Sequence, residues 1–80
     1  MRIEIAREHR PIKAGWAAHS PATRLTAHGR TETLADRNLE RTVRPLLAPF
    51  QRAGTLEQEL LARGVPFVGE PDDLEIVLRP

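Results

Sequence analysis

The sequence predicts an α+β domain, a small sheet in βββα(α)β order with helices over one of its faces. Three observations carry this. "RIEIAR" and "RLTAHG" alternate apolar and polar residues with period two, as half-buried strands do. Leu34, Ala35, Leu39, Val43, Leu46, Leu47 and Phe50 recur at steps of three and four, which makes one apolar stripe along a helix. "DLEIVL" near the end returns to period two, with Leu74, Ile76 and Leu78 on one side.

In chain order, Ile3 and Ile5 define the inward face of a first strand. "EHRPIKAG" reads as a loop, because Pro11 cannot donate to a ladder. "GWAAH" reads as a second strand with Trp16 and Ala18 on one face, and "SPAT" as the turn after it. With Ser20 to Thr23 as the connection, His19 faces Arg24, Ala18 faces Leu25, and Trp16 faces Ala27. That register keeps the apolar set together, whereas a slip of one residue would turn it to solvent.

Gly29 stands where the chain leaves the sheet, and a positive φ is expected there. Thr31 suits the N-cap of the following helix, a contribution of about 1 kcal/mol. Glu32 in the first turn suits the positive end of the helix dipole. Pro45 and Pro49 predict a stop or kink near Arg44, with a short continuation through Phe50. A second helix is expected in "AGTLEQELLARG". Thr55 and Gln58 form its capping box, Leu56, Leu60 and Leu61 its apolar side, and Gly64 its C′ residue. Pro66, Gly69 and Pro71 break up the chain beyond that helix. The last strand is expected beside the first, a βαβ-like closure of right-handed sense.

Eighty residues make one domain, spanning 1–80, with a thin core. Cysteine is absent, so disulfides and thiolate metal sites are excluded together. No apolar run approaches the roughly 18 residues that a membrane span needs. "MRIEIAREHR" lacks the apolar stretch of a signal peptide. A soluble cytoplasmic protein is expected. Self-association is the remaining way to bury more apolar surface, and an open sheet edge invites it, so a homodimer or higher oligomer is expected.

Enzyme chemistry finds no constellation. His9, His19 and His28 have no helical ligand spacing. Glu32, Asp36 and Glu40 lie along one helix face at i, i+4 and i+8, an arrangement that solvates a surface. "EPDD" lacks the glycine of a calcium loop, the five glycines make no phosphate-binding motif, and the single serine, Ser20, sits in no nucleophile elbow. No catalytic residue, metal or cofactor is therefore expected. Net charge is +1, but eleven of the twelve cations are arginine. Arg37, Arg41 and Arg44 fall on one helix face, flanked by Arg30 and Arg52. Such a stripe is either a solvated, ion-paired face or a contact for an acidic partner or for nucleic-acid phosphates.

One family is suggested by the central residues. Gly15-Trp16, Pro21 six positions beyond Gly15, and "HGRTETLA" with Gly29, Thr31 and Ala35 resemble the N-terminal domain of HicB-type antitoxins. The resemblance covers about residues 2–50. The chain departs from the pattern in lacking Leu-Pro-Gly between the hairpin strands and in carrying Leu34 where the family usually has Glu. The resemblance implies a partial RNase H-like fold without catalytic acids. It implies a non-enzymatic module that binds a HicA-type toxin, a small mRNA-cleaving protein, and blocks its active surface. A further departure is that no helix-turn-helix or ribbon-helix-helix segment is found, so no separate DNA-binding domain is expected within these residues. The alternative function is an RNA- or DNA-contacting module that uses the Arg37, Arg41 and Arg44 stripe.

Overall fold

The computed structural model describes residues Met1–Pro80. The chain runs β1 (Arg2–Ala6), β2 (Glu8–Ile12), β3 (Gly15–Ser20), β4 (Leu25–Gly29), α1 (Glu32–Ala53), α2 (Leu56–Ala62), β5 (Phe67–Val68) and β6 (Glu75–Arg79). The α+β class holds, but the strands form two three-stranded sheets, β5-β1-β6 and β2-β3-β4. The chain passes from one sheet to the other at the single residue Arg7, whose N–H donates to the carbonyl of Arg79.

α1 organises both sheets. Its 22 residues span roughly 33 Å at 1.5 Å per residue, most of the 40 Å length of the molecule. The first half covers β3 and β4, with the Asn38 amide donating to the His28 carbonyl at 2.7 Å. The second half meets the approach to β6. Arg44 donates there to the Leu74 carbonyl at 2.9 Å, and Gln51 donates to the carbonyls of Pro71 and Asp72. The sheets thus follow one another along the helix. A single core runs between, built from Ile3, Ile5, Ala18, Ala27, Ala35, Leu39, Val43, Leu47, Leu56, Leu60, Val65 and Ile76.

Several expectations are met. β6 pairs with β1, in parallel, with Ile3 opposite Ile76 and Ile5 opposite Leu78. The Thr31 hydroxyl accepts from the Leu34 N–H at 3.1 Å and caps α1. Gly64 takes φ +69°, and the Val65 and Gly64 N–H groups close on the carbonyls of Leu60 and Leu61, a Schellman ending for α2.

Others are corrected. "EHRPI" is a strand, not a loop. β2 is an edge strand, the one place in a sheet where a residue without an N–H is tolerated. The β3–β4 register is shifted by two residues: Trp16 faces Gly29, Ala18 faces Ala27, and Ser20 faces Leu25. A shift of two preserves the faces, so Ala18 and Ala27 are still buried and Trp16 still packs on the core. The loop explains the shift. Ser20 is buried in the strand, its hydroxyl accepts from the Thr23 N–H, and Arg24 closes the turn at φ +61°.

α1 continues unbroken through Pro45 and Pro49. Both prolines are exposed, and so are Arg41 and Pro45, the residues whose carbonyls lose their helical partner. Leu34 and Leu61, expected in apolar stripes, stand 38% and 70% exposed. Thr55 makes no side-chain cap, because its backbone (φ −113°, ψ 11°) is not the extended conformation a capping hydroxyl needs. β5 is a short additional strand within the Pro- and Gly-rich stretch, where local pattern predicts none.

Candidate partner-binding surface

Five of the residues that carry the family resemblance, Gly15, Trp16, Gly29, Thr31 and Ala35, meet at one junction, where β3 and β4 give way to α1. Gly15 has φ +153°, and a Cβ built on it would lie 2.3 Å from the Gly29 carbonyl oxygen. A Cβ on Gly29 would lie 2.4 Å from the Ala35 nitrogen and 2.8 Å from the Leu34 Cβ. Gly29 does not take the expected positive φ. Its glycine is required by the close approach of β4 to the first turn of α1. Thr31 caps that turn, and Ala35, fully buried, offers the small side chain that lets the backbones approach. Trp16 faces Gly29 across the ladder and packs against the core from its edge. Pro21 is remote from this junction, exposed at the start of the four-residue β3–β4 loop.

The arginine stripe divides. Arg37 and Arg41 are exposed and hold no intramolecular ion pair. Arg44 is occupied: one amino group pairs with Glu40 at 2.9 Å and the other donates to the Leu74 carbonyl. Arg44 therefore ties α1 to the segment leading into β6, and the free part of the stripe is Arg37 and Arg41.

Beside the junction lies a charged cluster that sequence reasoning missed. His9 on β2 places Nε2 2.7 Å from Asp36 Oδ1 and Nδ1 2.8 Å from Glu32 Oε2. Arg7 Nε lies 3.0 Å from the same Asp36 oxygen, near enough for attraction between charges but not aligned as a hydrogen bond. Arg7 Nη1 is 3.3 Å from His9 Nδ1. Nδ1 thus lies between the Glu32 carboxylate and the Arg7 guanidinium, and Nε2 meets Asp36. The edge of Trp16 closes one side, its centroid 6.3 Å from that of His9. Glu32 and Asp36, expected only to solvate α1, thus hold β2 onto the helix. The signal was present in the sequence, since Ile3, Ile5, Arg7 and His9 continue one period-two face through the stretch that Pro11 marked as loop.

Of the other polar candidates, His19 and the "EPDD" loop are engaged and His28 is not. His19 Nδ1 lies 2.7 Å from the Thr26 hydroxyl, and His28 is exposed on β4. The "EPDD" loop is held through its carbonyls, by Gln51 and by the N-terminal amine on Asp73. The most voluminous surface hollow, about 270 Å³, lies between the end of α1 and the start of α2, lined by Gln51, Gly54, Leu56, Glu57, Gln58 and Pro71. It converges no titratable pair. No helix is long and apolar enough to cross a membrane. No family model matches the chain, and no curated protein or solved structure matches it either.

Proposed function

We propose that this chain is a non-enzymatic protein-binding module of the antitoxin kind. Its partner is a HicA-type toxin, a small mRNA-cleaving protein whose active surface it covers. It acts in the cytoplasm as a homodimer or higher oligomer. The observation that carries this reading is the junction of Gly15, Gly29, Thr31 and Ala35. Of the residues picked out for their resemblance to HicB-type antitoxins, Gly15, Gly29 and Ala35 serve one close backbone approach and Thr31 caps the helix turn beside it. The contacts among Arg7, His9, Glu32 and Asp36 give that cluster a structural use, holding β2 and its lead-in onto α1.

The test is direct. A neighbouring reading frame that encodes a small basic ribonuclease supplies the partner. The two purified products, mixed at micromolar concentration, should co-elute, and RNA cleavage should stop. Absence of both a complex and inhibition ends this reading.

A second reading rests on Arg37 and Arg41, which are exposed and unpaired about 6 Å apart along the axis of α1. Through them the chain would contact RNA or DNA phosphates. Its signature is affinity that falls steeply with salt and weakens in Arg41→Glu. Binding that is undetectable or indifferent to salt removes it.

A further inference from the structure

β6 is the edge of its sheet, paired with β1 on one side only. The ladder fixes which of its backbone groups are free. The Glu75 N–H donates to the Met1 carbonyl, and the Arg79 carbonyl accepts from the Arg7 N–H. Both residues therefore turn their peptide groups toward β1. In a parallel pair, alternate residues point the same way, so Val77 does likewise. The N–H and C=O groups of Ile76 and Leu78 are left pointing outward.

From these two observations, the free groups and the sequence "EIVLR", we propose that β6 pairs antiparallel with β6 of a second copy about a two-fold axis at Val77. In this register Ile76 lies opposite the partner's Leu78, and Leu78 opposite the partner's Ile76. These are the residues with outward peptide groups, so each pair exchanges both of its hydrogen bonds. Val77 meets the partner's Val77 in the closer, non-hydrogen-bonded position. Glu75 lies opposite the partner's Arg79, and Arg79 opposite the partner's Glu75. The strand is thus complementary to itself in charge, in apolar packing and in backbone parity at a single register. A two-fold interface demands this self-complementarity. Moving the axis to Ile76 or Leu78 would bring both charged pairs out of opposition.

Arg79 is already hydrogen-bonded to Glu4 on the neighbouring strand. Its guanidinium has five donors, enough to hold Glu4 and the partner's Glu75 together. The product is a six-stranded sheet, β5-β1-β6 continued by β6-β1-β5 of the second copy, with the exposed edge removed.

The inference rests on the self-association reading and gives it a surface. It does not depend on which partner the chain binds. The test is a charge exchange between copies, read by sedimentation equilibrium and by the mass of the eluted species. Glu75→Arg sets Arg against the partner's Arg79 at both ends of the ladder, and Arg79→Glu sets Glu against the partner's Glu75. Each variant alone should raise the dimer dissociation constant about ten-fold or more, taking up to ~1 kcal/mol for each cross-strand charge pair. Mixing the two variants should restore a dimer near the wild-type constant, since every pair in the mixed species is again of opposite sign. Recovery on mixing also shows that each variant is folded. A wild-type chain that remains monomeric at hundreds of micromolar overturns both the dimer and this surface. A wild-type dimer whose constant is unchanged in either variant, or not recovered by mixing, keeps the dimer and overturns the surface.

Discussion

Gly15 and Gly29 touch backbone to backbone. A Cβ on the first would lie 2.3 Å from the carbonyl oxygen of the second, and one on the second would lie 2.4 Å from the Ala35 nitrogen. Main-chain atoms at such distances cannot swing aside as a side chain could. At Gly15 the φ of +153° adds backbone strain to the clash.

Gly15→Ala and Gly29→Ala should therefore each destabilise the fold by about 2 kcal/mol or more, at the upper end of what strained backbone sites cost. Gly54→Ala is the comparison, since a Cβ there meets nothing within 4 Å and only its φ of +76° resists. Its effect should be about 1 kcal/mol. Urea denaturation of the three variants orders them. A Gly29 variant no worse than the Gly54 variant would remove the steric account of the junction.

The cluster around His9 makes a different prediction. The side chain is 16% exposed and bridges two carboxylates, so hydrogen bonds to charged groups are at stake. His9→Ala should lower stability by about 1–3 kcal/mol. Glu32→Gln, at a carboxylate 53% exposed, should cost less than about 1 kcal/mol. The double variant His9→Ala/Asp36→Ala should fall short of the sum of its singles by about 0.5 kcal/mol or more. Additive singles would mean that the two side chains are neighbours without being coupled.

The apolar faces of α1 and α2 can be tested by contrast within one residue type. Leu39 is fully buried and Leu61 is 70% exposed. Leu39→Ala should cost about 2–5 kcal/mol, and Leu61→Ala should stay within about 0.5 kcal/mol. Equal effects would mean that the helix faces are misassigned.

Much of this was legible in the sequence, and the failures have physical causes. Period-two alternation located β1, β3, β4 and β6, and three–four spacing located α1, because burial of one face imposes those periods. The faces of the β3–β4 hairpin survived a register error of two, since only an odd slip exchanges them. Proline misled twice. Pro11 sits in a strand because that strand is an edge, and Pro45 and Pro49 sit in a helix because their face is solvent. Neither the edge nor the exposed face is visible from neighbouring residues alone. Reading β2 as a loop then hid the contact between His9 and Asp36, which lie 27 positions apart. The division of the arginine stripe was likewise beyond local reading. Arg44 is engaged by a carbonyl 30 positions later, after two turns of the chain.

Acid should weaken β1–β6 pairing through Glu4. Its carboxyl is held below the ordinary carboxylate range chiefly by the hydrogen bond from Arg79, opposed by desolvation and assisted by the smaller effects of the Arg79 and Arg2 charges. A depressed value in the folded state means that the ionised form is the one the fold prefers. The contribution of Glu4 is therefore complete above the carboxyl's ordinary value and is lost as the pH falls through its lowered one. Wild type should lose stability over that interval, whereas Glu4→Gln, which has no charge to neutralise, should lose less. The two curves should converge at the acid end. Because Glu4 is open to solvent, the difference between them should also shrink in molar salt. Denaturation midpoints measured from neutral pH to about pH 3 follow both effects through the carboxylate range. Parallel curves across it would mean that the Arg79 contact is not formed in solution.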